Sequence, residues 1–159
     1  MPEIIFCNPV TDLDYQLVVE IFKEYQKYLG IDLCFQHFDH ELNNLKSIYQ
    51  KPKGIIILAK KDNEIIGCVA LKPIEKNNCE MKRLYVKPAY RGNGIGQKLT
   101  KMLIDFAQKN KYDIMKLDTL LQLNEAIDLY KRLGFKTTNP YVLNPLNDVL
   151  YFEKELKNE

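Results

Sequence analysis

The residues from Glu80 to Gly96 hold the densest chemistry in the chain. They read Glu80-Met81-Lys82-Arg83-Leu84-Tyr85-Val86, then Lys87-Pro88-Ala89-Tyr90, then Arg91-Gly92-Asn93-Gly94-Ile95-Gly96. The first part has the character of a strand and Pro88 marks a turn. Three glycines at alternate positions then open an amphipathic helix through Ile95, Leu99, Leu103, Phe106 and Ala107. Glycine leaves room for a ligand to approach the backbone closely. The first amides of a helix have no partner inside it, and the helix dipole favours negative charge at that end. Arg91 adds a planar cation at the entrance. Together these residues predict a cradle for a pyrophosphate.

Two familiar phosphate loops do not fit. The dinucleotide fingerprint needs G-x-G-x-x-G. Counted from Gly92 its last position is Gln97, and counted from Gly94 it is Leu99. Asp118 lies where it could imitate the ribose-binding acid, but the loop follows several strands, not the first one. No Gly-Lys-Ser/Thr follows either, which excludes a Walker loop.

The elements that must position this loop can be read from periodicity. Residues 3–8 predict a first strand. Thr11, with Asp12 and Asp14, caps a helix whose stripe is Leu13, Leu17, Val18, Ile21, Phe22 and Tyr25, ended by Gly30. A second, weaker helix is expected over 37–50. Residues 54–61 and 64–74 predict a hairpin about Asp62-Asn63. The strand over 80–86 and the glycine-led helix follow, then a strand over 113–119. Leu123, Ala126, Ile127 and Tyr130 mark a last helix closed by Gly134. Two strands, 135–138 and 149–152, finish the chain. The order β-α-α-β-β-β-α-β-α-β-β predicts an α/β sandwich around a mixed sheet, in one domain over 1–159.

Apolar residues at 46% and charged residues at 28% are ordinary for a globular protein. A net charge of +2 gives no expectation of nucleic acid or an anionic membrane as partner. No apolar run has the length of a membrane span, and Met1–Phe6 has no basic leader, so a cytoplasmic protein is expected. The cysteines at 7, 34, 68 and 79 form no Cys-x-x-Cys pair. Buried free thiols are expected, not disulfides. Cys34, His37, His40 and Glu41 have ligand chemistry, but steps of three drift around a helix and converge poorly, so no metal is expected.

The segment Arg91-x-x-Gly94-x-Gly96, after a strand ending Leu84-Tyr85-Val86, resembles motif A of the GNAT acyltransferase superfamily. Asn124-x-Ala126-x-x-Leu129-Tyr130-x-x-x-Gly134-Phe135 resembles that family's second acyl-CoA segment. The motifs come in the family's order at the expected separation, and the element order matches over nearly the whole chain. The resemblance implies a mixed, mostly antiparallel sheet flanked by helices, with a V-shaped splay between the fourth and fifth strands.

It implies acetyl-CoA as co-substrate and direct transfer of the acetyl group to a primary amine in a ternary complex. Arg91, Gly92, Asn93, Gly94, Ile95 and Gly96 would hold the pyrophosphate, with Gln97 extending the nest. The Leu84–Tyr85–Val86 backbone would pair with the pantetheine arm and polarise the thioester carbonyl. Asn124 would contact that arm. Tyr130 would protonate the leaving thiolate. Glu80 stands where some members place the general base, which an alkyl ammonium of pKa about 10.4 requires. By strand alternation Glu80, Lys82, Leu84 and Val86 should share one face. Asp32, His37 and Asp39, and the Pro140–Pro145 loop with Tyr141 and Asn144, would flank the acceptor.

The acceptor would be a small-molecule or peptide amine, and the protein a monomer or homodimer. Alternatives are a non-catalytic acyl-CoA sensor on the same fold and an acetyltransferase acting on a protein terminus or lysine.

Overall fold

Thr11 sets the start of the first helix. In the computed structural model, which describes residues 3–31 and 37–156, its hydroxyl accepts the Asp14 amide at 3.1 Å, and the Asp14 carboxylate accepts the Thr11 amide at 3.0 Å. This reciprocal cap opens α1 (Asp12–Leu29), and Gly30 closes it in the left-handed conformation at φ 71°. Before it lies β1 (Ile5–Cys7).

The helix expected over 37–50 is in fact two, α2 (Phe38–Asn43) and α3 (Leu45–Ile48). Asn44 breaks it. Its side-chain amide donates to the His40 carbonyl at 2.8 Å, and its backbone leaves helical geometry.

Then come β2 (Ile55–Lys61), β3 (Glu64–Ile74) and β4 (Asn78–Val86). Asp62 and Asn63 both take positive φ, which matches the twist of the β2–β3 hairpin. A single 3-10 turn over Pro88–Tyr90 leads to α4 (Ile95–Lys109). The chain ends with β5 (Ile114–Leu120), α5 (Asn124–Arg132), β6 (Lys136–Thr137) and β7 (Val149–Glu155). β7 outruns its expected length because it pairs with all of β5, from Ile114↔Glu155 to Leu120↔Val149.

The sheet order is β1-β2-β3-β4-β5-β7-β6. Every pairing is antiparallel except β4 with β5. Alternation along β2 sends Ile55, Ile57 and Ala59 to a core with α4 and α5. Ile56 and Leu58 go to a second core with α1, α2 and α3. The helices thus form one layer on each face. No helix among the described residues is long and apolar enough to cross a membrane.

The β4–β5 contact is brief. Only Cys79↔Met115 and Glu80↔Lys116 pair, although β4 runs on to Val86 and β5 to Leu120. Beyond this vertex the strands part, as the resemblance implied. β4 also carries one extra residue here. Ala70 pairs with Lys82 and Cys68 with Tyr85, so Arg83 and Leu84 together stand opposite Val69. Arg83 takes φ 63°, the signature of a bulge.

The bulge corrects the expected strand alternation. Glu80 and Lys82 share the face of Ala70, toward α1, whereas Leu84 and Val86 pack on the α4 core. The four residues do not share a face, because the inserted residue reverses the parity of everything after it.

A buried ion pair holds the bulge. Arg83 donates through Nε to Glu41 Oε2 at 3.0 Å and through its second fork to Oε1 at 2.5 Å. The Tyr49 hydroxyl donates to Oε2 at 2.9 Å, and the guanidinium lies 5.2 Å from the centre of the Phe38 ring. Burial alone would raise the Glu41 carboxyl, but the bonds from Arg83 and its charge outweigh that and hold it below its ordinary 4.5. Its contribution is therefore present above pH 4.5 and lost as pH falls through the lower folded value.

Glu41→Leu leaves a buried guanidinium without its carboxylate and is expected to cost about 3–5 kcal/mol in chemical denaturation. The gap to wild type should narrow as pH drops below 4.5. A loss under 1 kcal/mol, or a gap independent of pH, would show that the pair does not hold the bulge.

Candidate active site

The parted strands leave a slot of about 360 Å3. One wall is the β4 edge, Leu84, Tyr85 and Val86. The opposite wall comes from the β5–α5 connection and α5, with Gln122, Leu123, Asn124, Ala126 and Leu129. The mouth is the loop that starts α4, with Arg91, Gly92, Gly94, Ile95, Gly96 and Gln97. Residues expected to hold a cofactor therefore gather around one cavity from three separate elements. Asn93 and Tyr130 are not among its lining residues. Asn93 instead donates to the Tyr90 carbonyl at 3.1 Å and shapes the loop.

The mouth has the features of an anion site. Gly94 is the cap of α4, at φ 77°, and no side chain caps the helix. Gly92 takes φ 82°, and a Cβ built at either glycine meets nothing within 4 Å. These glycines serve backbone conformation and openness, not close packing. Such a helix start, facing a cavity beside a cation, fits a pyrophosphate.

Arg91 is fixed in place. Its Nε donates to the Val86 carbonyl at 2.8 Å, and its guanidinium lies 4.4 Å from the Tyr28 ring centre and 5.6 Å from that of Tyr85. The Tyr85 hydroxyl donates to Glu24 at 2.7 Å. Tyr25 and Tyr28, both on α1, also line the slot. Sequence reasoning placed Tyr25 only on an apolar stripe and missed Tyr28. The available signal was two aromatics one helical turn apart at the end of the helix leading to the expected acceptor loop.

Below the vertex, on the α1 face, lies a polar group built on β4 and β5. Glu80 is 4% exposed. Tyr141, from the β6–β7 connection, donates to its Oε2 at 2.8 Å, while Lys72 and Lys82 stand 3.9 and 4.0 Å from Oε1. Burial, and then the negative charge of Glu80, push the Tyr141 phenol far up. Burial lowers the Lys82 ammonium.

Asp118 also faces this group. Burial raises its carboxyl, opposed first by the charge of Lys82. It lines a narrow cavity with Tyr25, Leu29, Ile31, Arg83, Leu120 and Asn144. The sequence reading treated Asp118 only as a decoy. A charge in the alternating strand Met115-Lys116-Leu117-Asp118-Thr119 was the signal for a polar face.

Tyr130 is 5% exposed, its ring against Phe135 at 5.8 Å and Phe152 at 6.0 Å. Burial pushes its phenol well above the ordinary range, with Tyr25 and Asp118 adding to the effect. The ring thus belongs to the α4–α5 core while the hydroxyl senses groups on the other side of the sheet. Burial likewise keeps Cys79 protonated, at about 12, and raises Cys68 further. Glu41, weighed above as a metal ligand, is committed to Arg83 and Tyr49. His40 faces the Asn44 amide at 3.3 Å. Asp32 and Cys34 lie outside the described residues.

Residues 16–135 match the acetyltransferase (GNAT) family. An uncharacterized N-acetyltransferase of Schizosaccharomyces pombe is 43% identical over 145 residues, covering 90% of this chain and 87% of that one. An acetyltransferase of the GNAT family from Staphylococcus aureus has the same fold, with a TM-score of 0.82 at 22% identity over 98% of this chain and 100% of that one. The PaiA N-acetyltransferase of Thermoplasma acidophilum, solved in complex with coenzyme A, has a TM-score of 0.75 at 22% identity, covering 96% and 99%. A match over most of the chain, a relative at 43% identity and the parted β4–β5 strands place this protein in the acetyltransferase (GNAT) family.

Proposed function

We propose that this protein moves the acetyl group of acetyl-CoA directly to a primary amine. The observation that carries the reading is the slot between β4 and β5, with the uncapped α4 start and Arg91 at its mouth. The coenzyme A complex of the Thermoplasma relative supports the same ligand. The amides after Gly94 hold the pyrophosphate, and the β4 edge from Leu84 to Val86 offers backbone groups to the pantetheine arm. Asn124 contacts that arm from the opposite wall. Acetyl-CoA supplies the activated acetyl group, and the protein supplies alignment with the amine.

The residues below the vertex manage protons. Glu80 takes the proton of the attacking amine, directly or through water, while Tyr141 fixes the carboxylate. Tyr130, whose neutral phenol lies behind the slot wall, gives a proton to the leaving thiolate and regains one from solvent. Transfer without an acetyl-enzyme fits the thiols of Cys68 and Cys79, which burial holds protonated and therefore poorly nucleophilic.

Gly94→Asp and Gly94→Asn form a matched test of the cradle. Both side chains tolerate positive φ better than most. Asp should abolish the acetyl-CoA-dependent rise in melting temperature by placing negative charge at the pyrophosphate, and Asn should weaken it much less. Equal effects, or none, would misplace the phosphate site.

Tyr130→Phe keeps the ring and its packing. Turnover should fall while acetyl-CoA affinity stays within about twofold. Unchanged turnover would leave Tyr130 a core residue only.

Glu80→Gln should lower the rate at neutral pH by about 10²–10⁴-fold, the usual loss of a general base. The deficit should shrink as pH rises toward the amine's pKa of about 10.4, where free amine becomes abundant. Superimposable pH–rate profiles of kcat/KM for the two proteins would remove the base assignment.

A further inference from the structure

The fold restrains the Arg91 cation without neutralising it. Its Nε–H is taken by the Val86 carbonyl at 2.8 Å, and the guanidinium lies over the rings of Tyr28 and Tyr85. No carboxylate among the described residues pairs with it within 4 Å. Glu24, an acid of the same network, already accepts the Tyr85 hydroxyl and pairs with Lys87 at 3.4 Å. The kind of restraint matters at a phosphate site. A carboxylate would hold the guanidinium by its N–H donors and cancel its charge. A ring face attracts the same cation through its quadrupole and leaves the remaining N–H donors free.

One face of α1 supplies this support. Glu24 and Tyr28 stand four residues apart on the helix, so they are neighbours on its surface. Glu24 fixes the Tyr85 ring through its hydroxyl. The Tyr85 ring lies 5.6 Å from that of Tyr28, and Tyr28 in turn lies 4.4 Å from the guanidinium. Tyr28 is not a core residue. It is 44% exposed, whereas α1 buries Val18, Ile21, Phe22 and Leu29. A tyrosine so exposed contributes little to folding, and its place is at the mouth of the slot, against Arg91.

We infer that Tyr28 is a positioning residue for the cofactor: its ring holds the Arg91 guanidinium at the slot mouth, with the terminal N–H groups left for the pyrophosphate. An arginine side chain loses much rotamer freedom when it binds a ligand, and restraint in the empty protein removes that cost from the binding step. The inference rests on the acetyl-CoA reading above. It adds a determinant of cofactor affinity that lies on α1, far in sequence from the glycine loop.

Coenzyme A is the probe, titrated calorimetrically into the intact protein. Tyr28→Leu should weaken it about three- to thirtyfold, the range of a cation–π contact, whereas Tyr28→Phe keeps the ring and should stay within about twofold of wild type. Arg91→Met should also weaken binding. In that background Tyr28→Leu should add less than about twofold, because a residue acting through Arg91 has nothing left to act on. A general loss of stability would instead weaken both backgrounds alike. Wild-type affinity in Tyr28→Leu or in Arg91→Met, an equal loss in Tyr28→Phe, or a full loss that persists beside Arg91→Met overturns the inference and leaves the parent reading standing. No binding of coenzyme A to the wild-type protein overturns both.

Discussion

One inserted residue in β4 governs the arrangement of this protein. An antiparallel neighbour, β3, pairs with the strand on both sides of Arg83 with the register shifted by one residue, and beyond this bulge β4 no longer pairs with β5. The slot, the reversal of faces and the exposed β4 edge all follow from that bulge. The positive φ of Arg83 has to be held by its surroundings. Glu41, Tyr49 and Phe38 supply that restraint from α2 and the segment after α3. A strand irregularity at the centre of the sheet is thus tied to a short helical layer far away in sequence.

The bulge also sorts chemistry by face. Residues before it, Glu80 and Lys82, point with Asp118 into the charged group under α1. Residues after it line the slot and the α4 core. In a regular strand all would have lain on one face, and the charged groups would crowd the slot. A single parity change thus sets the β4 edge that lines the slot and the charged group around Glu80 close together but on opposite sides of the sheet.

The glycine loop, the two hairpin strands and the amphipathic stripe of α4 were legible because each rests on local rules: φ > 0, periodicity and turn chemistry. The order of elements was legible for the same reason. The bulge was not, because Arg83 has no turn-forming character and its conformation is imposed by tertiary contacts. Nor was the break at Asn44, where a side-chain hydrogen bond competes with a helix of weak periodicity. Arg91, Gly94 and Gly96 could be placed at the site from sequence, but their aromatic support from Tyr28 could not, since α1 meets the loop only through the fold. Asp118 was visible as a charge within a strand, and its meaning depended on knowing where β4 and β5 part.

The lengths of the outer strands bear on how much open backbone the sheet presents at its perimeter. The sheet is bordered by β1 with three residues and by β6 with two. Such stubs offer little template for another molecule. The long unpaired edges, the ends of β4 and β5, lie inside the sheet and face each other. Danger from open backbone is therefore kept at the centre, where helices α1 and α4 flank it, and the surface perimeter stays poor in docking sites for stray strands. The gap between neighbouring strand edges thus lies near the middle of the sheet order, far from its perimeter.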